Sequence, residues 1–173
     1  MIPADLDDAA WSATTAGAVT VYDEGGSNEE TNLATYGRLY NWYAVDDARG
    51  LCPSGWHVPT DGEFMTLEME LGMSYTDANG MGYRGTDQGT QMKSSASDSP
   101  AWNGSNTSGF SGLAGGCRYI IGGFDNEGSY GYFWSASANG SNAWDRRLNG
   151  GSTEVFRNLN DLRSGFSVRC VRD

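Results

Sequence analysis

The chain has 173 residues, 38% hydrophobic and 12% aromatic, a composition that supports one folded domain and argues against disorder. A net charge of −11, without any Lys/Arg cluster, argues against a nucleic-acid partner. No apolar run is long enough to span a membrane and residues 1–18 lack signal-peptide regions, so we expect no membrane insertion, and either export without a signal peptide or a missing upstream part.

The N-terminal part of the chain is weakly patterned and then becomes rich in aromatic residues. Residues 1–35 predict an irregular acidic lead-in with one strand at Ala18 to Tyr22. The segment from Tyr36 to Val45 predicts an extended stretch followed by a short helix that ends at Asp47 or Ala48. Its density of aromatic side chains places it in the core.

The clearest helix in the sequence begins at Thr60. Glu63 follows three residues later and completes a capping box, and Gly72 ends the apolar pattern. Residues 74–111 then predict a long loop anchored by Met92, Trp102 and Phe110.

The second half of the chain favours strands. Residues 109–134 predict short strands between glycine turns, best at Arg118 to Ile121 and at Tyr130 to Trp134. Because helices come early and strands late, the predicted class is α+β, with short helices in the N-terminal half, small antiparallel strands and long Gly/Ser/Asn loops.

Residues 143–158 predict a β-hairpin with one packed face and one displayed face. A tight reversal with positive φ is expected at Gly150 and Gly151. The packed face comprises Trp144, Arg146, Leu148, Val155 and Arg157, and the displayed face Asp145, Arg147, Asn149, Glu154, Phe156 and Asn158. The displayed face combines both charges, amides and an aromatic ring, which favours contact with a partner. An ordinary solvated face with one exposed Phe is the alternative.

Cysteine, histidine and acidic residues leave little scope for a metal centre. Three cysteines and one histidine are too few for a zinc site, and no cofactor is expected. Cys52 and Cys170 could form a disulfide that ties the two ends of the core together, although two free thiols fit the sequence equally well. Two acidic turns that begin at Asp77 and Asp125 resemble fragments of calcium loops without the full ligand spacing, so calcium stays open.

Several polar residues have structural interpretations. His57, between Trp56 and Val58, is expected to be a satisfied histidine in a buried strand. Four arginines amid apolar residues are expected to form bridges to carboxylates or carbonyls, namely Arg38, Arg146, Arg157 and Arg169.

Five segments in chain order resemble the Fibrobacter succinogenes major paralogous domain. They are residues 36–45 (YGRLYNWYAV), 52–60 (CPSGWHVPT), 109–116 (GFSGLAGG), 131–135 (GYFWS) and 165–171 (GFSVRCV). That family is similar to the C-type lectin-like fold, which formylglycine-generating enzymes and the variable proteins of diversity-generating retroelements share. The resemblance implies a C-type lectin-like domain over residues 36–173, in which residues 135–164 display a ligand-binding face.

The variable proteins of diversity-generating retroelements have variable positions with a restricted set of residue types, and this set can be compared with residues 135–164. Random replacement of adenines in an AAC-type codon cannot produce Lys, Gln, Glu, Met or Trp, and residues 135–164 contain only Trp144 and Glu154 of that set. The resemblance therefore implies ligand-binding roles for twelve residues: Asn139, Ser141, Asn142, Asp145, Arg147, Asn149, Phe156, Asn158, Leu159, Asn160, Asp161 and Arg163.

The expected function is non-enzymatic binding of a host surface protein or glycan by a receptor-binding protein or adhesin of a phage tail or cell surface. Such a protein would be found on a virion or outside the cell, and a homo-oligomer would suit a fibre tip. An invariant carbohydrate-binding module and a structural module of a surface assembly are the alternatives. Catalysis is not expected, because the cysteines lack the surroundings of a formylglycine-generating active site and Asp61 and Glu63 suit the first turn of a helix.

Overall fold

A computed structural model describes residues 2–173, in which six short helices and ten strands occur. The helices are α1 (Asp8–Ala13), α2 (Glu29–Tyr36), α3 (Trp42–Val45), α4 (Asp61–Glu70), α5 (Tyr75–Ala78) and α6 (Gln88–Met92). The strands are β1 (Val19–Thr20), β2 (Leu39–Tyr40), β3 (Trp56–His57), β4 (Gly82–Arg84), β5 (Gly115–Arg118), β6 (Phe124–Glu127), β7 (Tyr130–Asn139), β8 (Asn142–Asn149), β9 (Val155–Asp161) and β10 (Val171–Arg172). The α+β class is confirmed.

A six-stranded sheet in the order β4-β9-β8-β7-β5-β6 is the centre of the fold. Its pairs are antiparallel except β5 with β7, which run parallel. The pairs β1-β2 and β3-β10 form two small additional sheets. None of the helices in residues 2–173 has the length and apolar character of a membrane span.

Two hydrophobic clusters lie on opposite sides of the central sheet because neighbouring side chains of β7 alternate between them. Tyr132 and Trp134 belong to the first cluster, with Trp42 and Phe166. Phe133, between them in the chain, belongs to the second cluster, which covers the other side with residues from α4, α6 and β9. The hairpin of β8 and β9 contributes Leu148 and Val155 to the second cluster and Ala143 to the first.

The start of α4 confirms the predicted capping box. Thr60 accepts a hydrogen bond from the backbone N–H of Glu63 at 3.2 Å, and Glu63 in return accepts one from the backbone N–H of Thr60 at 2.8 Å. The C-cap is Leu71, directly before Gly72. The aromatic segment also folds as predicted, as β2 followed by α3, although the helix ends at Val45.

Two stretches that were expected to be irregular contain regular elements. Residues 1–35 include α1 and most of α2, and α1 buries Trp11 completely. Residues 74–111 include α5, β4 and α6, while Met92, Trp102 and Phe110 pack in the second cluster as predicted. These elements are too short for a hydrophobic period to show in the sequence, and they depend on tertiary contacts.

The turn between β8 and β9 differs from the prediction. Neither Gly150 nor Gly151 has a positive φ; the left-handed glycine of this region is Gly140, in the tight turn between β7 and β8. The connection spans residues 150–154 and is long enough to reverse the chain without left-handed glycines.

A disulfide joins Cys52 to Cys170, whose Cα atoms lie 5.8 Å apart, while Cys117 is free and buried.

The arginines that were expected to form bridges divide into two groups. Arg146 and Arg157 pair with carboxylates and Arg169 donates to the backbone oxygen of Ser111. The expectation for Arg38 is wrong, because its side chain is exposed.

The expectation of a buried His57 is also wrong, because its side chain is 40% exposed. The histidine is nevertheless satisfied: Nδ1 lies 2.7 Å from Oδ1 of Asp173 and Nε2 lies 2.8 Å from Oε1 of Glu63. Both neighbours are acceptors, so the ring bonds to both only when it is protonated on both nitrogens. The hydrogen bonds that the ring donates to Asp173 and Glu63 raise the pKa of His57.

Candidate functional site

Side chains of β8 and β9 alternate between two faces of the sheet. We call the face with Arg146 and Arg157 the lower face and the face with Arg147 and Phe156 the upper face. Directly opposed residues share a face, and the pairs Arg146–Arg157 and Leu148–Val155 belong to the lower face. The lower face packs on the second cluster, as the alternation in the sequence predicts.

A buried charge network fixes the lower face to α4. Asp61 Oδ1 accepts hydrogen bonds from Arg146 Nη1 at 2.7 Å and from Arg157 Nε at 2.9 Å. Arg146 Nε also donates to Glu68 Oε1 at 2.6 Å, and Arg84 Nη2 donates to the same oxygen at 3.0 Å. Burial raises the pKa of Asp61, but the bonds and charges of Arg157 and Arg146 outweigh it and hold the pKa below its usual range. This network is structural, because its charges are bonded to one another and hidden from solvent.

The upper face carries a row of four side chains that crosses four adjacent strands, which we call the aromatic row: Tyr83, Phe156, Arg147 and Tyr132. Each is directly opposed to the next in the register of β4, β9, β8 and β7. The rings of Tyr83 and Phe156 meet edge to face at 4.8 Å between centroids. Tyr83 is 42% exposed and Tyr132 only 7%, so the row runs from the open edge of the sheet into the first cluster.

Arg147 occupies a position between two rings of the aromatic row. Its Cζ atom lies 4.3 Å from the ring centroid of Phe156 and 5.0 Å from that of Tyr132. Cation–π attraction on both sides holds the guanidinium in place. Its Nε is buried and has no hydrogen-bond partner within residues 2–173.

Next to the row, Asp145 lies on the upper face as predicted, but it is completely buried, which corrects its predicted exposure. It lies between Asn158 and Trp134 in the register, and Trp134 is also fully buried. Burial raises its pKa to about 7, while the hydrogen bond from Asn160 and the charge of Arg147 act in the opposite direction.

A cleft of about 380 Å³ lies beside Arg147 and is lined by residues of β5, β6, β7, β8 and β9. Tyr119, Asn126, Tyr132 and Asn160 contribute hydroxyl and amide groups to its walls. Cys117 also lines the cleft, but burial raises its pKa to about 11, so the thiol is protonated at neutral pH and a poor nucleophile.

The cleft also has Arg118 and Asp125 in its walls. Arg118 is bonded to Asp8 and to backbone oxygens. Asp125 is bonded to Tyr119 and Asn126. Within the part of the chain that the structure describes, the charged group of the cleft without a bonded partner is the guanidinium of Arg147.

The structure brings together only part of the predicted set of binding residues. Arg147, Phe156, Asn158 and Asn160 share the half-buried upper face, with Asn149 at the other end of β8. Asn149 is held by protein contacts, since it donates to the hydroxyl of Tyr83 at 3.0 Å and accepts from the N–H of Gly151.

The remaining predicted residues lie elsewhere. Asn139 and Ser141 are exposed at the turn between β7 and β8. Asn142, Leu159 and Asp161 alternate onto the lower-face side of their strands, which contradicts a single displayed face. Asp161 forms a local ion pair with Arg163 at 2.8 Å.

The predicted binding residues include Arg147 and Phe156 of the aromatic row but not Tyr132 or Tyr83. Tyr83 lies in a three-residue strand within the segment that the sequence predicts as a loop, and the sequence carries no separate sign of that strand. Tyr119 and Asn126 also line the cleft, where Asn126 of β6 donates to the hydroxyl of Tyr132 at 3.1 Å and Tyr119 donates to Asp125. The acidic turns at Asp77 and Asp125 form protein hydrogen bonds, from the hydroxyls of Ser74 and Tyr119 respectively.

Comparison with known proteins gives one finding. Residues 6–172 match the family model of the Fibrobacter succinogenes major domain. Comparisons with curated proteins and with solved structures give no match. The family match spans essentially the whole of the chain and agrees with the five segments that suggested it. The chain therefore belongs to the Fibrobacter succinogenes major domain family.

Proposed function

We propose that the chain is a non-enzymatic ligand-binding domain with a C-type lectin-like fold, displayed on a virion or cell surface, and that its upper face contacts the partner. The aromatic row is the observation that carries this proposal. An arginine held between two aromatic rings is not typical of an ordinary solvent-exposed face. Tyr, Phe and Arg are residue types that are enriched in binding surfaces.

We also propose that the face is the variable region of a diversity-generating retroelement protein. Accessible residues at its centre and at the adjacent turn belong to the set that adenine replacement can produce: Asn139, Ser141, Arg147, Phe156 and Asn158. Asp145 is set apart from them, because any larger side chain at this buried position would disturb Trp134 and Asn158.

Population sequencing of the locus tests the retroelement part. We expect substitutions confined to adenine-derived codons at accessible upper-face positions, with Asp145, Arg146 and Arg157 unchanged. Variation spread evenly over residues 36–116 and 135–164 would contradict a diversified protein and leave an invariant binding module.

Alanine substitution tests the binding part. Arg147→Ala, Phe156→Ala and Asn158→Ala are each expected to weaken attachment to cells that the unsubstituted protein binds, while the protein stays folded. Asp161→Ala, on the lower-face side at the end of β9, is the matched control and should retain attachment. Attachment unaffected by any of the three upper-face variants would overturn the assignment of the face.

An invariant carbohydrate-binding module is the second candidate, and the cleft favours it. Tyrosine rings and side-chain amides line the cleft, and both suit hydroxyl-rich ligands. A glycan array probed with the purified domain separates this candidate from a protein-specific receptor-binding domain.

A further inference from the structure

Arg147 differs from the other arginines of the sheet in forming no ion pair with the described residues, although its charge acts on the buried Asp145. Arg84, Arg146 and Arg157 all form ion pairs with carboxylates of α4. None of the ion pairs formed within residues 2–173 includes Arg147, and its Nε is buried without an acceptor. A half-buried guanidinium that lacks an acceptor is costly unless something else binds it.

The two rings determine how an acceptor can approach Arg147. Phe156 and Tyr132 lie opposite Arg147 on the two neighbouring strands, with ring centroids 4.3 Å and 5.0 Å from its Cζ, so an acceptor must approach an edge of the guanidinium that the rings leave open. The terminal nitrogens at that edge are not buried, in contrast to Nε. Two N–H groups pointing the same way in one plane match the two oxygens of a carboxylate.

The walls of the cleft suggest what the rest of the ligand is made of. Asn160, Asn126 and Tyr119 each donate one hydrogen bond within the protein. Their oxygens and the second amide hydrogens of the two asparagines remain as uncharged groups that can bond to hydroxyls. The one carboxylate in the wall, Asp125, is already bonded to the hydroxyl of Tyr119 at 2.6 Å and to the N–H of Asn126 at 2.8 Å. A net charge of −11 opposes a polyanion at long range but allows one locally paired carboxylate.

We propose that Arg147 binds the carboxylate of a sugar acid, such as a uronic-acid residue of a glycan, at the mouth of this cleft. The inference rests on the proposed function of the upper face and adds the chemistry of the ligand. A cleft of about 380 Å³ accommodates one or two sugar rings.

NMR titration of the ¹⁵N-labelled protein tests this directly, with glucuronate as the probe and glucose as its neutral counterpart. We expect glucuronate to shift the Nε–H resonance of Arg147 saturably below about 50 mM, since a single ion pair supports millimolar affinity. Glucose should produce no such shift. Arg147→Gln should weaken glucuronate binding roughly tenfold or more, whereas Arg172→Gln, at an exposed position on β10, should leave it unchanged.

Several results would overturn the inference. One is the absence of a saturable shift at Arg147 with glucuronate, and another is an equal shift with glucose. A third is glucuronate binding by Arg147→Gln that is as strong as that of the unsubstituted protein. Binding of N-acetylglutamate amide that is stronger than binding of glucuronate would also overturn it and would indicate an acidic protein ligand. The titration of the unsubstituted protein decides the matter even where Arg147→Gln fails to fold.

The two proposals can fail separately. If glucuronate does not bind but Phe156→Ala and Asn158→Ala still weaken cell attachment, the sugar-acid inference falls and the binding face stands. If glucuronate binds at Arg147 but no upper-face variant changes attachment, the proposed function falls.

Discussion

Asn160 donates a hydrogen bond of 2.6 Å from Nδ2 to Oδ2 of Asp145, and the other carboxylate oxygen of Asp145 has no partner within residues 2–173. One bond does not replace the water that a buried carboxylate loses. Burial consequently raises the pKa of Asp145 to about 7, and this carboxyl group is partly protonated near neutral pH.

Asp145→Asn is expected to stabilise the protein in a pH-dependent way. Between the usual carboxyl pKa and about 7 the folded state binds more protons than the unfolded state, so stability falls as pH rises. The uncharged amide removes that dependence and should raise the free energy of unfolding by roughly 2–4 kcal/mol at about pH 8, with little gain at about pH 4. Urea denaturation at both pH values measures it.

Asp46→Asn, which changes an exposed carboxylate, is the control for this comparison and should have little effect at either pH. A gain from Asp145→Asn that is the same at both pH values would mean that its carboxyl group is not the origin of the effect.

Glu68→Gln should strongly destabilise the fold. Glu68 is fully buried and bonds to both Arg146 and Arg84, so the substitution leaves uncompensated charge in the core. Loss of one partner of a buried ion pair costs about 3–5 kcal/mol. Glu70→Gln, two residues along the same helix at an exposed position, should change the free energy of unfolding by less than about 0.5 kcal/mol. Similar values for both variants would contradict the buried network.

The limits of sequence reasoning differ from element to element. The start of α4 depends on Thr60 and Glu63 alone, three residues apart, so its signal is local and complete. The pleat of β8 is equally local, and its two faces could be assigned. Exposure of a face depends on what covers it: Trp134 and Asn160 bury Asp145, and nothing near Asp145 in the sequence shows this.

Tyr83 and Arg147 show the same limit for the candidate site. β4 has three residues and forms because β9 provides its partner, so the aromatic row could not be assembled from the sequence. The absence of an ion pair at Arg147 is likewise a property of its surroundings in space. The residue type and its face could be predicted, but its clamped geometry could not.

Reduction of the disulfide should destabilise the protein markedly. Cys52 and Cys170 are 118 residues apart, so their bond restricts the unfolded chain over most of its length. A loop of that size corresponds to about 3–5 kcal/mol of stability. Denaturation with and without dithiothreitol measures the difference. Thiol titration of the unfolded, unreduced chain should find only Cys117, and three reactive thiols would disprove the bond.

His57 should titrate above the usual histidine pKa. The bonds to Asp173 and Glu63 favour the imidazolium, so the stabilisation they provide is complete below the unfolded-state pKa of about 6.5 and is lost as pH rises through the higher folded-state pKa. An NMR titration of the ring protons gives the value directly. His57→Gln should accordingly destabilise the protein at about pH 6 and have less effect at about pH 9. A pKa at or below the usual value would show that the two carboxylates do not engage the ring.

The pairing of Asp61 with Arg146 and Arg157 has a consequence for how this domain can evolve. These bonds hold the backbone of β8 and β9 from one side, and no side chain of the other side takes part in them. The path of the hairpin is therefore insensitive to most replacements at Arg147, Phe156 or Asn158. The same backbone can therefore carry many different sets of upper-face side chains. During evolution one set can replace another through sequences that all still fold.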